Sequence, residues 1–296
     1  MKKYTLILFL IFGADYLFAQ KVDNRLQKKI ESLVKDLHGD IGVYVKNLHT
    51  GKVAAVNADS IFPTASMVKV TILIGIQDKI EKGQLEYHQQ LEYKDSLLYA
   101  GEDILGSFKS GEKIGLHKVL MLMLTTSDNT ASLWLQSLAG TGTRINEILD
   151  SLGMVYTRIN SRTPGREANR LQYGWGQTTP REMGTLMEKI YRGEVISKKA
   201  SEKMVRLLGR NYNDEQAIAE IPPAVFVASK NGCVNASRSE ILLVMAPNGP
   251  YIFSVQTKNL QDQSWDNSNE AWVLTRKLSA LCWNYFEPRS RWKPAL

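Results

Sequence analysis

Ser66 and Lys69 lie three residues apart in Ser66-Met67-Val68-Lys69. On a helix that spacing puts both side chains on one face. A hydroxyl beside an amine of this kind is a nucleophile with its base, provided the lysine is desolvated or stands near another cation. Ser127-Asp128-Asn129 brings a second hydroxyl for proton transfer and an amide able to hold a substrate; its plain structural role is a turn that caps the next helix. Lys230-Asn231-Gly232 adds a second cation, which can meet a carboxylate as a point charge and lower the pKa of Ser127. Gly232 lets a substrate backbone pass closely. Each short motif alone is a common accident of sequence. In this order, separated by 61 and 103 residues, they are the parts of an acyl-transfer site.

These residues need elements to hold them. Residues 22–38 read as an amphipathic helix, with Leu26, Ile30, Leu33, Val34 and Leu37 on one face. Strands are expected at 40–46 and 53–57 around a His49-Thr50-Gly51-Lys52 turn. A long helix over about 66–82, closed by Gly83, carries Ser66 and Lys69. Its apolar Val68, Val70 and Ile72 argue that it is buried, and a buried lysine needs a reason. Residues 117–125 are apolar nearly all round, which predicts a buried helix. Helices over 130–139 and 144–152 follow, closed by Gly140 and Gly153. Residues 157–177 are irregular and rich in Arg, Gly, Asn and Gln. Thr179-Pro180 starts a helix to about Arg192, and another spans 197–208. A strand at 225–229 delivers Lys230. Strands 241–246 and 251–257 form a hairpin across Pro247-Asn248-Gly249-Pro250, and a helix covers 266–286.

The two early strands and three late strands bury their faces only by pairing, so both ends of the chain meet in one antiparallel sheet with flanking helices. The expected class is α/β in the α+β sense: a sheet subdomain of about 20–60 and 210–288 and an inserted all-helical subdomain of about 61–209. The cleft between them is the natural place for a site.

With 296 residues, 44% hydrophobic and 23% charged, the chain has material for a real core. The formal charge of +7 is scattered, without the aromatic-interleaved basic stripe of a nucleic-acid binder. Lys2 and Lys3, an apolar run from Thr5 to Gly13 and the small residues before Gln20 mark residues 1–19 as a secretory signal peptide. The expected product is residues 20–296, a single exported catalytic domain, periplasmic or secreted, with no stable membrane anchor. Cys233 and Cys282 are expected as two small buried side chains rather than a bridge. His38, His49, His88 and His117 show no ligand spacing, so neither a metal nor any other cofactor is expected.

The motif set resembles the class A β-lactamases and the wider penicillin-binding serine hydrolases, whose motifs are Ser-x-x-Lys, Ser-Asp-Asn and Lys-Thr-Gly with gaps of roughly sixty and a hundred residues. Phe62-Pro63-Thr64-Ala65-Ser66, the 140–154 segment ending in Leu-Gly-Met, and Thr178-Thr179-Pro180 add to the resemblance, which covers about residues 22–288. It implies that Ser66 attacks a lactam or amide carbonyl, that the backbone N–H groups of Ser66 and Cys233 form the oxyanion hole, and that Lys69 takes the Ser66 proton. Ser127 would protonate the leaving nitrogen. Lys230, Asn231 and Arg238 would bind the substrate carboxylate beside Gly232, and Asn129 would meet a substrate amide. A monomer acting on a small β-lactam or peptidoglycan-like substrate is implied, and with it antibiotic resistance.

Two positions depart from the family pattern. Asn231 replaces the usual Thr. In the 157–177 loop, Glu167 is the only acid between Asp150 and Glu182. It lies 13 residues before Pro180, roughly four residues from where the family places its deacylating Glu. Glu167 is the candidate base for release. Three functions stay open: a serine β-lactamase, a D-Ala-D-Ala peptidase, and a soluble β-lactam sensor that stays acylated.

Overall fold

A computed structural model describes residues 21–99, 101 and 103–294; the expected signal peptide lies outside the described residues. The chain enters through α1 (Asn24–Val34), whose first turn is capped by the Asp23 carboxylate accepting from Leu26 N–H at 3.2 Å. α1 buries Leu26, Ile30 and Val34, the stripe its period demands. β1 (Asp40–Asn47) and β2 (Val53–Val56) follow, then the short β3 (Phe62–Pro63) and a 3-10 turn, Ala65–Val68.

The helical block then runs α2 (Lys69–Glu81), β4 (Gln90–Glu92), β5 (Lys113–Gly115), α3 (Leu116–Thr125), α4 (Asn129–Leu138), α5 (Thr141–Ser151), β6 (Arg158–Ile159), α6 (Glu167–Tyr173), β7 (Gly176–Thr178), α7 (Pro180–Arg192) and α8 (Lys198–Leu208). The chain returns through β8 (Val227–Val234), β9 (Ser237–Val244), β10 (Tyr251–Lys258) and α9 (Glu270–Phe286). Thr179 caps α7 with Pro180 at its first position, as the sequence predicts.

The five long strands form one sheet in the order β2-β1-β10-β9-β8, every neighbour antiparallel. The two ends of the chain therefore do meet, at the β1–β10 pairing. Alternation along β9 divides the core. Ile241 and Leu243 join the helical block, while Leu242 and Val244 pack with α1 and α9. α7 covers the inner face so closely that a Cβ on Gly184 would stand 2.6 Å from the Tyr44 ring. One apolar cluster thus runs from α2 to the sheet, and sheet and helical block share it.

Three expectations shift. α2, not α3, is the helix buried all round: Lys69 to Asp78 are all buried, whereas α3 exposes Lys118 and Met121. α2 is enclosed by α3, α4, α5 and α8, and α3 is peripheral. The third motif lies inside β8 rather than after it, because Gly232 pairs with Ser239 and the reversal comes only at Asn235-Ala236. The 157–177 loop holds β6, α6 and β7, whose two- and three-residue strands pair only with sequence-distant partners.

Candidate functional site

Ser66 sits in the 3-10 turn that feeds α2, so Lys69 opens the α-helix itself. The residue before the serine, Ala65, has φ +43, a left-handed conformation costing a non-glycine residue about 1 kcal/mol or more. Ser66 is half-buried and Lys69 is fully buried. Lys69 Nζ lies 3.1 Å from Ser66 Oγ, 2.9 Å from Ser127 Oγ and 2.8 Å from Asn129 Oδ1, and it also donates to the Ser127 carbonyl. Ser127 presents both its oxygens to one amine because it too is left-handed, at φ 62. The first and second motifs therefore converge on a single nitrogen.

Asp128 explains how the second motif is held. One of its oxygens caps α4 through Ala131 N–H at 2.7 Å, and the other accepts Leu105 N–H at 3.0 Å. The capping role and the site-building role are the same role. Asp103 adds a second tie by accepting Thr130 N–H at 2.8 Å. Tyr99 donates its N–H to Thr130 Oγ1 and meets Trp175 edge-to-face at 5.1 Å, which joins the loop before α3 to the 157–177 loop.

β8 approaches from the other side. A Cβ on Gly232 would stand 2.6 Å from Ser66 N, so only glycine allows the strand to lie against the Ser66 turn. Lys230 and Gly232 share the inner face, and Asn231 and Cys233 the opposite one. Lys230 is fully buried; its Nζ donates to the Asn231 carbonyl at 2.9 Å and to Asn231 Oδ1 at 3.1 Å. Beside Asn231 and Cys233 opens a hollow of about 490 Å³ whose lining includes Asn211, Tyr212, Asp214 and Trp265. β8 is the sheet's edge strand, so one row of its backbone groups is not taken up by the sheet.

Burial acts on both lysines. It holds Lys69 well below the usual lysine range, helped next by the Lys230 charge and opposed by Asp103 and Asp128. Burial likewise brings Lys230 down to about 8. A neutral Lys69 amine keeps a lone pair that can accept the Ser66 hydroxyl proton. Burial pushes the Cys233 thiol up, and Cys233 and Cys282 are both unbridged.

Two expected site residues stand elsewhere. Arg238 is fully buried on β9, paired in register with Cys233 and so on the face of Asn231 and Cys233; its guanidinium donates to the carbonyls of Val234 at 2.6 Å, Ser237 at 2.9 Å and Ser264, and lies 5.1 Å over the Trp265 ring. Those carbonyls engage both terminal nitrogens, while Nε has no partner among the described residues. Glu167 is exposed at the first position of α6, where its carboxylate accepts Gly165 N–H at 3.1 Å. It lines a separate hollow with Arg162, Pro164 and Arg170, and among the described residues no hydrogen bond links it to Ser66 or Lys69. Local capping at a helix start decides its direction.

The loop is held instead by amides. Arg166 Nε donates to Asn160 Oδ1 at 2.7 Å, and its Nη2 to Gln177 Oε1 at 2.9 Å, where Asn169 also donates at 3.1 Å. Gln136 of α4 exchanges hydrogen bonds with Ser161, at 2.5 Å to its carbonyl and 3.0 Å from its hydroxyl. Sequence reading missed this set; its signal was the Arg, Asn and Gln richness of the loop.

A family model described as beta-lactamase enzyme family matches residues 25–286. Beta-lactamase VEB-1 of Pseudomonas aeruginosa is 23% identical over 97% of this chain and 98% of its own. Among solved structures, a point mutant of PBP-A in an acyl-enzyme complex with penicillin G superposes with a TM-score of 0.80 at 25% identity, covering 91% of this chain and 98% of that one. A β-lactamase from Chitinophaga pinensis gives 0.78 at 21% identity over 88% and 99%.

Proposed function

The chain belongs to the beta-lactamase enzyme family, and from that premise we propose that it is a serine hydrolase that opens a β-lactam amide through an acyl-enzyme on Ser66. The observation that carries this reading is the buried Lys69 amine, 3.1 Å from Ser66 Oγ and shared with Ser127 and Asn129. Lys69 takes the Ser66 proton and Ser66 Oγ attacks the carbonyl carbon. The N–H groups of Ser66 and Cys233 hold the oxyanion where β8 lies against the turn. Ser127 Oγ hands a proton to the departing nitrogen, and Lys69 restores it. Asn231 offers its amide NH₂ to the substrate carboxylate while Lys230, behind the strand, supplies field rather than contact. Asn129 Oδ1 is taken by Lys69, so its NH₂ meets the substrate. The leader-like residues 1–19 support export to the periplasm or medium.

The position of Glu167 favours a second reading of the last step. With this carboxylate turned to Gly165, Glu167 does not serve a water at Ser66, and the acyl group leaves slowly. That is the behaviour of a penicillin-binding peptidase or of a sensor that stays acylated. A chromogenic cephalosporin separates the cases. We expect a burst of about one equivalent that Ser66→Ala abolishes, followed by slow turnover that Glu167→Gln leaves unchanged. Rapid steady turnover with no burst, lost in Glu167→Gln, would overturn the slow-release reading. No acylation of the wild type would overturn the function itself.

A further inference from the structure

Between α2 and α8, away from Ser66, lies a hollow of about 520 Å³ lined by Gln77, Ile80, Glu81, Tyr87, His88 and, from α8, Lys199, Lys203 and Arg206. Ala200 and Glu202 complete it. The three α8 cations are spaced four and three residues apart, so they form one stripe facing the hollow. None of them makes an ion pair among the described residues; Lys203 only sits 4.0 Å over the Tyr87 ring. Gln77 is 4% exposed, and its amide nitrogen has no hydrogen-bond partner among the described residues. A buried donor left without an acceptor costs stability. Gln77 lines this space, which is ringed by cations without ion pairs among the described residues, with Glu81 and Glu202 as the opposing charges.

We propose that this hollow binds a small organic anion: an oxyanion group received by Gln77, Lys203 and Arg206, on a flat apolar body received by Tyr87 and Ile80. A bare phosphate or carboxylate would fill little of the space, which is the size of a small-molecule site. The oxyanion satisfies the Gln77 donor that the fold leaves open. Gln77 stands eight residues after Lys69 on the same helix, so the ligand would rest on the element that carries the base.

The test is calorimetric titration of the intact protein with phenyl phosphate, benzoate and inorganic phosphate. Saturable binding of phenyl phosphate or benzoate, about tenfold tighter than inorganic phosphate, is expected. Arg206→Glu should weaken it at least about tenfold, and Gln77→Leu, a replacement of similar shape that removes the orphan donor without loss of thermal stability, about tenfold. Lys198→Glu makes the same charge change one residue outside the lining and should leave binding unaltered. Which organic anion binds tighter identifies the oxyanion. Binding that does not saturate, that survives Arg206→Glu, or that falls equally in Lys198→Glu overturns the proposal.

Discussion

Gly232→Ala tests whether the closeness of β8 to the nucleophile's turn makes the oxyanion hole. An added Cβ would meet Ser66 N at 2.6 Å, Thr64 O at 2.8 Å and Met67 N at 3.0 Å. All three are backbone atoms, so no rotamer relieves the clash, and strand and turn must part by about 0.8 Å to reach ordinary contact. Overpacking of that kind costs roughly 1–3 kcal/mol, a fall in Tm of about 2–10 °C for a domain this large. The chemical effect is larger. A displacement near 1 Å costs on the order of 100-fold in rate, the loss also seen when one oxyanion donor is removed. Stopped-flow acylation by a fluorescent penicillin should therefore slow about 100-fold in folded Gly232→Ala. Gly83→Ala is the control: Gly83 has φ +68 and open space around it, so it should lose about 1 kcal/mol of stability and no acylation rate. Folded Gly232→Ala that acylates within about threefold of wild type would refute the oxyanion-hole geometry drawn from β8.

Two further predictions concern buried charge. Lys230, brought down to about 8 by burial, weakens the fold by about 3 kcal/mol below pH 8, a deficit that fades as pH rises toward 10.5. Lys230→Met should therefore be more stable than wild type at pH 7, with the gap closing by pH 10.5, while its acylation rate falls; urea unfolding at both pH values checks this. Glu240 is fully buried, with one oxygen accepting Ala217 N–H at 2.9 Å and the other without a partner among the described residues, and burial raises it to about 7. The native state then holds a proton that the unfolded chain releases between 4.5 and 7, so stability falls as pH rises through that window. Glu240→Gln should gain up to about 3 kcal/mol at pH 8 and nothing at pH 4, and an equal gain at both would show that Glu240 does not titrate in the fold.

Much of the scaffold was legible because its signals are local. Apolar period marked α1, Asp128 and Thr179-Pro180 marked the starts of α4 and α7, and Pro247-Asn248-Gly249-Pro250 marked the last hairpin. The elements missed were those whose reason is a distant partner. β6 and β7 exist because Arg158 pairs with Gln177 and Phe62 with Thr178. The full length of β8 exists because β9 lies beside it through Ser237.

The sequence by itself determined the candidate reacting groups: Ser66 with Lys69, Ser127, Asn129 and Lys230, in an order and spacing that point to acyl transfer. Only the tertiary structure decided their state and their neighbours. It enclosed α2 so that Lys69 loses its water, laid β8 against Ser66 at Gly232 and set Arg238 opposite Cys233 across the β8–β9 pairing. Residue type and spacing are properties of the chain. Desolvation and the direction of a side chain depend on what packs against it, and for Lys69 that includes Ser127, 58 residues away in the chain.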